Sequence, residues 1–311
     1  MTNSGPCGKF EEAGEPVRAF SLTMGGHRRL IPSRRLGGIF RLSLLIWTAA
    51  LEVTHGEGSP LAGRTVVPGL DWVYWTGGPA CRSGDPGIGV LAADPNRLRF
   101  QVLHYTLQTE SHPLTAWEWL EQVRPVALFN AGQYYPDYSY MGLLIHGGRS
   151  IKGRLHPLFQ ALFVAEPVDG MPPRAKILDL ASETFHPQSP GYLEAAQSFM
   201  LLDRSGLLRV QRSLNVANRT VVAEGRDGRI WIFVTRGGYT LWELGELLRS
   251  GPFPIIHAMS MDGGEEAQLL VRAGGFLYDS LGPWDAQEGV GRPGPRDRVR
   301  LPTVIGIFPR D

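Results

Sequence analysis

Apolar positions along this chain fall mostly in short runs broken by Gly, Pro, Asp and Asn, a pattern that predicts many strands and few helices. The stretch GIGVLAADPNRLRFQVLHYTL predicts two strands, Gly87 to Ala92 and Leu98 to Leu107, around an Asp-Pro-Asn turn. PVALFNAGQYY reads as a buried strand running into a turn at Asn130 to Gly132, and MGLLIHGG, HPLFQALFVAE and EAAQSFMLLDRSG add further strands. RTVVAEGRDGRIWIFVTRGG predicts a hairpin about Asp227-Gly228, with apolar residues alternating on its second arm. RVRLPTVIGIFPR ends the chain in a strand, and residues 280 to 298, rich in Gly, Pro and charge, read as a surface loop. Two segments have helical character instead. TAWEWLEQV opens with Thr115 as cap and Glu118 completing a capping box, and TLWELGELLRSG repeats the device with Thr240 and Glu243 and stops at Gly251. No repeat is visible. Strands in excess of helices predict an α+β fold with a mixed or antiparallel β-sheet core, a few helices and a single ligand cleft, not a regular βαβ succession.

One stretch, HAMSMDGGEEAQLLVR, places charge where the pattern predicts a strand end. Ile255, Ile256, Ala258, Met259 and Met261 form one apolar run and Leu269 to Val271 another, with a tight turn between them. Gly263 and Gly264 reach backbone angles closed to other residues and admit close neighbours, so they make an open lip on which Asp262 stands. Asp-Gly is also an ordinary turn signal, so this motif alone leaves both readings open.

Composition narrows the class. The chain has 311 residues, 43% of them hydrophobic, enough for a sizeable core in one large domain or two small ones. Its 31 basic and 30 acidic residues leave a net charge of +1, which implies no general attraction to nucleic acid or to an anionic membrane. Cys7 and Cys81 form no zinc or disulfide pattern, and the eight histidines contain no His-x-x-x-His pair, so a transition-metal centre is not indicated. No cofactor is called for. A carboxylate-bound divalent cation stays open.

The first 60 residues differ from the rest. After a Gly-, Pro- and Glu-rich start come His27, Arg28, Arg29, Arg34 and Arg35 and then LGGIFRLSLLIWTAALEV, a basic flank before an apolar run that fits an export signal or short anchor, with Met24 as an alternative start. Arg41 interrupts the run and no small-x-small site follows, which leaves a buried amphipathic helix as the other reading. The expected organisation is therefore a partly disordered export or anchor region over 1–60 and a globular domain over 61–311. The protein would be periplasmic, secreted or membrane-anchored, with any membrane contact confined to that first segment. The mature chain would then keep Cys81 alone and have no internal disulfide.

The ordered succession ALFNAGQYY, GLLIHGG, AAQSFMLLDRSG, NRTVVAEGRDGRIWIFVTRGGYTLWELGELL and AMSMDGGEEAQLLV resembles the phosphodiester glycosidase family over roughly Gly69 to Arg310. The resemblance implies hydrolysis of a sugar-1-phosphodiester. It places Asn130 in the family's Asn-x-Gly position, Gln197 and Ser198 in its Gln-Ser position, Arg219 and Thr220 in its Arg-Thr position, and Asp262, Gly263 and Gly264 in its Asp-Gly-Gly position. A glycosidase ordinarily needs two carboxyl groups, one to protonate the leaving oxygen. Phosphate leaves as a stable anion, so one carboxylate and one arginine suffice. On that basis Asp262 is expected as nucleophile or general base and Arg219 as phosphate clamp. Asn130, Gln197 and Ser198 are then hydrogen-bond donors to substrate, with Thr220, Gly263 and Gly264 completing the binding set.

Each residue has a plainer reading. Arg219 is also what a solvated strand end looks like, Asn130 and Gln197 what core-satisfying amides look like, and Glu243 is explained by its cap. Tyr134, Tyr135, Tyr138 and Tyr140 form either a sugar-stacking rim or a loop packed on its own domain. Two departures from the family pattern stand out: Glu265 and Glu266 follow Asp-Gly-Gly where glycine and serine are common, and Phe199 stands where proline is frequent. Extra negative charge at a phosphate site repels substrate unless it points away or binds a cation. Two functions therefore remain in view: an exported hydrolase of glycosyl phosphodiesters, with envelope polysaccharide as a candidate substrate, and a non-catalytic carbohydrate- or phosphate-binding relative.

Overall fold

The strands form where the apolar runs lie because their central residues are buried on both faces. A computed structural model describes residues 63–78, 81–109, 111–281 and 299–310 of the chain. In the Ile230–Gly238 strand, Ile232 and Val234 enter one core while Trp231 and Phe233 enter another. The Arg219–Gly225 strand divides in the same way, with Val222 on one side and Val221 and Ala223 on the other. Alternation of side chains across a doubly covered strand explains why such segments read as continuous apolar runs.

Eleven strands make the larger sheet. Its path runs Arg64–Val67, Leu70–Trp75, Ser83–Ala93, Ile230–Gly238, Arg219–Gly225, Ile255–Gly263, Tyr192–Leu202, Leu144–His146 and Arg149–Lys152. Ala161–Pro167 also pairs with Tyr192–Leu202 and carries Ala175–Asp179. A five-stranded sheet follows the order Phe276–Leu281, Gln268–Ala273, Ala127–Asn130, Thr303–Pro309 and Leu98–His104. Among the described residues the pairings between named strands are antiparallel, which settles the mixed-or-antiparallel expectation on the antiparallel side.

The main core lies between the sheets, where Phe129, Leu269 and Ile305 of the smaller meet Phe163, Val222 and Met259 of the larger. Among the described residues two α-helices cover the outer faces. Helix α1 (Ala116–Val123) packs Trp119 and Leu120 on Leu128, Leu270 and Val304, and the indole of Trp119 donates to the carbonyl of Leu301 at 2.8 Å. Helix α2 (Leu241–Ser250) packs Leu244, Leu247 and Leu248 on Phe233 and Phe253. Each large side chain so buried contributes roughly 1.5–3 kcal/mol.

Both capping boxes are present. Thr115 Oγ1 accepts from the Glu118 amide and Thr240 Oγ1 from the Glu243 amide, each at 3.2 Å, while both glutamates reach back to the cap amides. Gly251 ends α2 as expected, and the hairpin about Asp227-Gly228 pairs Glu224 with Ile230. Several boundaries differ, and the strand expected over Gly87 to Ala92 runs from Ser83 to Ala93. The strand expected over Leu98–Leu107 stops at His104, whose Nδ1 lies 3.3 Å from the Thr106 amide and 2.8 Å from Thr106 Oγ1 and so caps a 3-10 turn at Tyr105–Leu107. Ser280 and Leu281, expected in a loop, instead pair with Leu269 and Gln268; residues 282–298 lie outside the described part, as do 1–60. No described helix is long and apolar enough to cross a membrane.

Thr240 is 1% exposed and caps α2. Thr240→Ala is expected to lower unfolding free energy by about 1 kcal/mol, measured as a fall in the denaturant midpoint without a change in slope.

Candidate active site

Asn130 ends the Ala127–Asn130 strand of the smaller sheet, 1% exposed, and its amide ties that strand to the larger sheet. Nδ2 donates to the carbonyls of Asp262 at 3.0 Å and Ala131 at 3.1 Å. Oδ1 accepts from Thr220 Oγ1 at 2.7 Å and from the Gln268 amide at 3.1 Å. A side-chain amide has two donors and two lone pairs, so these four bonds use its capacity. Asn130 therefore positions the neighbouring strand ends; its amide is committed to protein partners instead of being presented to a substrate.

The Asp262 amide donates to Ala131 O at 3.1 Å, a further link between the sheets. Its strand, Ile255–Gly263, lies beside Arg219–Gly225, with Arg219 in register with Gly263. Arg219 is 8% exposed, and its guanidinium donates through Nε to Tyr239 O at 3.1 Å and through Nη2 to Asn215 O at 2.8 Å. These carbonyls fix its plane, and Nη1 lies where a Cβ on Gly263 would come within 3.0 Å. The same Cβ would meet Asn218 O at 2.9 Å, so only glycine admits the arginine this close. Gly264 follows with φ +72°, in the left-handed region, and donates its amide to Asn218 O at 2.9 Å.

Thr220 and Ser198 stand close by. Thr220 is committed to Asn130, and Ser198 Oγ donates to Ser260 O at 2.5 Å and lies 3.1 Å from Gln133 Oε1. Gln133 in turn donates to Met261 O at 3.2 Å, bracing the strand just before Asp262. Gln197 belongs to the layer behind. Fully buried, it accepts from the amides of Leu143 and His156 and donates to the carbonyls of His156 and Phe159. Asp262, Arg219, Asn130, Thr220, Gly263 and Gly264 are thus gathered at one set of strand ends, with Ser198 one step removed and Gln197 bracing the wall.

The electrostatics single out Asp262. Burial, reinforced by the charge of Glu266, pushes its carboxyl up to about 7, while the Gly263 amide, donating to Oδ1 at 2.9 Å, and the Arg219 charge pull the other way. Glu266 is half-buried and accepts from Tyr134 Oη at 2.9 Å, whereas Glu265 is exposed. Burial and the neighbouring Glu266 raise the Tyr134 phenol far above its usual range, so it remains a donor. The tyrosines divide: Tyr140 is buried and donates to Gln197 O at 2.8 Å, while Tyr135 and Tyr138 are exposed, the ring of Tyr138 lying 6.0 Å from that of Tyr134. Among the described residues no group of three or more His, Cys, Asp and Glu is placed to hold a metal ion.

Gln133 and the pairing of Tyr134 with Glu266 were not separable from the sequence. Their one signal is position, directly after the Asn130 to Gly132 turn that carries them to the same strand ends.

A model of the family described as NAGPA, phosphodiester glycosidase, matches residues 125–308, and the chain belongs to that family. Among solved structures it is similar to the catalytic domain of zebrafish N-acetylglucosamine-1-phosphodiester alpha-N-acetylglucosaminidase, auto-inhibited by its pro-peptide. The TM-score is 0.55 at 14% identity, covering 79% of this chain and 86% of that one. It is also similar to a hypothetical protein from Synechocystis, with a TM-score of 0.52 at 13% identity over 82% of this chain and 64% of that one. At these identities the likeness is one of fold. No curated protein matches the sequence.

Raising the Asp262 carboxyl has a consequence for stability. The folded-state value of about 7 exceeds the ordinary 3.8, so between these the fold holds a proton that the unfolded chain has lost, and stability falls as pH rises through that window. Asp262→Asn keeps an oxygen for the Gly263 amide and removes the charge. It is expected to raise unfolding free energy by on the order of 1–2 kcal/mol at pH 8, allowing for solvent screening, and by much less at pH 4, as read from denaturant melts at the two pH values.

Proposed function

We propose that this chain is an exported hydrolase of glycosyl phosphodiesters acting at a single cleft beside Asp262. The observation that carries the reading is the placement of one carboxyl, raised to about 7, on a glycine lip against a guanidinium held by two carbonyls. Family membership supports the reaction class, and the zebrafish structure of the same fold is an N-acetylglucosamine-1-phosphodiester alpha-N-acetylglucosaminidase. Ionised Asp262 attacks the anomeric carbon or takes a proton from the water that does. The bond between that carbon and the phosphate oxygen breaks, and the phosphate monoester leaves with the electron pair, its charge offset by Arg219. Asn130 and Thr220 hold the Asp262 backbone and its neighbours in place. Tyr138 and Tyr135 supply exposed rings on which a sugar can stack. Export rests on the basic flank and apolar run before residue 60, and an envelope polysaccharide is the substrate we favour on that ground.

The non-catalytic reading is favoured by one observation, the charge of Glu266 acting on Asp262, which opposes an anionic ligand. Purified protein assayed against sugar-1-phosphodiesters, with ordinary glycosides as controls, separates the two. Turnover of the phosphodiesters is expected, with Asp262→Asn lowering kcat by about 10²–10⁴-fold. Binding without turnover would establish the non-catalytic relative.

Arg219→Lys keeps the charge and loses the planar fork. A fall of about 10²-fold in kcat/KM is expected, with the fold checked by circular dichroism. Parental activity would make Arg219 a purely structural residue.

A further inference from the structure

Two phenol rings stand in solvent beside the lip. Among the described Phe, Trp and Tyr residues only Tyr135 and Tyr138 are exposed, 40% and 39%, and both belong to the short hairpin closed by the Tyr134–Tyr140 bridge. The hairpin is held firmly. The Tyr135 amide donates to Ser139 O and the Tyr138 amide to Tyr135 O, each at 2.8 Å, and Asp137 Oδ1 accepts from the Ser139 amide at 3.0 Å and from its Oγ at 2.7 Å. Tyr138 takes a φ of +65°, in the left-handed region that a bulky side chain rarely enters. Such strain persists only where surrounding bonds impose it, and here it accompanies an aromatic ring presented to solvent.

The base of the hairpin fixes the flank on which it sits. In the larger sheet the strand of Asp262 runs between Arg219–Gly225 on one side and Tyr192–Leu202 on the other. Arg219 occupies the first flank. The hairpin leans on the second: Tyr140 Oη donates to Gln197 O at 2.8 Å, Ser198 Oγ lies 3.1 Å from Gln133 Oε1, and a Cβ on Gly132 would meet Gln197 O at 3.0 Å. It is also tied to the lip, through Gln133 Nε2 to Met261 O at 3.2 Å and Tyr134 Oη to Glu266 at 2.9 Å. From Tyr134 the aromatic surface continues to Tyr138, with 6.0 Å between ring centroids, and on to the half-buried Tyr105 at 6.4 Å.

The two flanks suit different chemistry. Arg219 suits a phosphate, whereas the hairpin flank brings the carboxylates of Glu266 and Asp137, which repel an anion, together with rings that stack on the C–H face of an uncharged pyranose. The Lys152 ammonium lies 5.9 Å from the centroid of Tyr135 and occupies one face of that ring, so Tyr138 offers the freer surface. We propose that the hairpin is a subsite for a second, uncharged sugar, joined to the sugar that Asp262 attacks on the side away from the phosphate. The substrate class is then a phosphodiester whose glycosyl part is an oligosaccharide, with Tyr138 stacked on the residue beyond the reacting one. This rests on the reading of Asp262 as the reacting carboxyl and Arg219 as the phosphate clamp.

Two measurements test it. Methyl phosphodiesters of matched pairs, N-acetylglucosamine with chitobiose and glucose with maltose or cellobiose, are compared as substrates, and kcat/KM is expected to be about tenfold higher for the disaccharide of at least one pair. Tyr138→Asn removes the ring while tolerating the left-handed backbone, so it should bring that ratio near one, and Tyr138→Phe should keep it. Circular dichroism checks the fold of both variants. Separately, chitotriose, maltotriose and cellotriose, which carry no phosphate, are titrated into the protein and followed by NMR of the tyrosine rings. Binding of one of them in the millimolar range is expected in the parent and in Tyr138→Phe, and its loss in Tyr138→Asn. A ratio of one in every pair that is turned over, or a ratio or trisaccharide affinity unchanged in Tyr138→Asn, overturns the subsite. Trisaccharide binding that Tyr138→Asn abolishes, in a protein without hydrolytic activity, upholds the subsite and rejects the reaction; neither binding nor turnover rejects both.

Discussion

The site depends on one buried amide. Asn130 sits where strand ends of two different sheets meet, and its side chain adds to the main-chain bond from the Asp262 amide to Ala131 O. Its four hydrogen bonds reach Asp262, Ala131, Thr220 and Gln268, so one side chain fixes the lip, the adjacent strand and the strand that follows the turn. Each bond contributes only about 0.5–1.5 kcal/mol net, but leaving these groups buried and unpaired costs about 1–3 kcal/mol apiece. Gln197 does the same service behind the wall, gathering four main-chain groups from Leu143, His156 and Phe159. Satisfied buried amides of this kind rigidify a fold and specify one geometry.

Rigidity is what allows Asp262 to remain where its charged form is disfavoured. A carboxyl beside a second carboxylate, with burial opposing ionisation, would move or be solvated if its backbone were free. Here its carbonyl is held by Asn130 and its amide by Ala131 O. The surrounding fold supplies the stability that the site gives up, the usual relation between a scaffold and a strained functional group.

The helices, the hairpin and most strands could be read from the chain because their causes are local. Thr115 and Glu118, or Thr240 and Glu243, lie three residues apart, and both capping boxes form. The end of the Leu98–His104 strand was not readable, since it is set by the ring nitrogen of His104 capping the next turn and not by hydropathy. For the site, motif positions suggested which residues share a place but not what each does there. Asn130 and Gln197 carry the amide chemistry a ligand site uses, yet their partners are main-chain groups and a threonine, mostly distant in sequence, and no spacing reveals them. Glu265 and Glu266 are indistinguishable as letters. What separates them is the left-handed conformation of Gly264, which turns one outward and the other toward Tyr134.

The charge at the lip also changes meaning once the proton is counted. Formally Asp262 and Glu266 outnumber Arg219, which argues against any anionic ligand. With the proton on Asp262, the formal count is one carboxylate to one guanidinium. When Asp262 ionises the sum becomes negative, so under the proposed reaction an anionic substrate meets repulsion in the form that reacts. Under the proposed reaction, binding and chemistry would favour opposite protonation states of Asp262, whose carboxyl is raised to about 7. Arg219 bears on both sides of that opposition: its charge favours ionised Asp262 and also offsets a phosphate. Its two carbonyl partners, Tyr239 and Asn215, hold its guanidinium plane independently of any ligand.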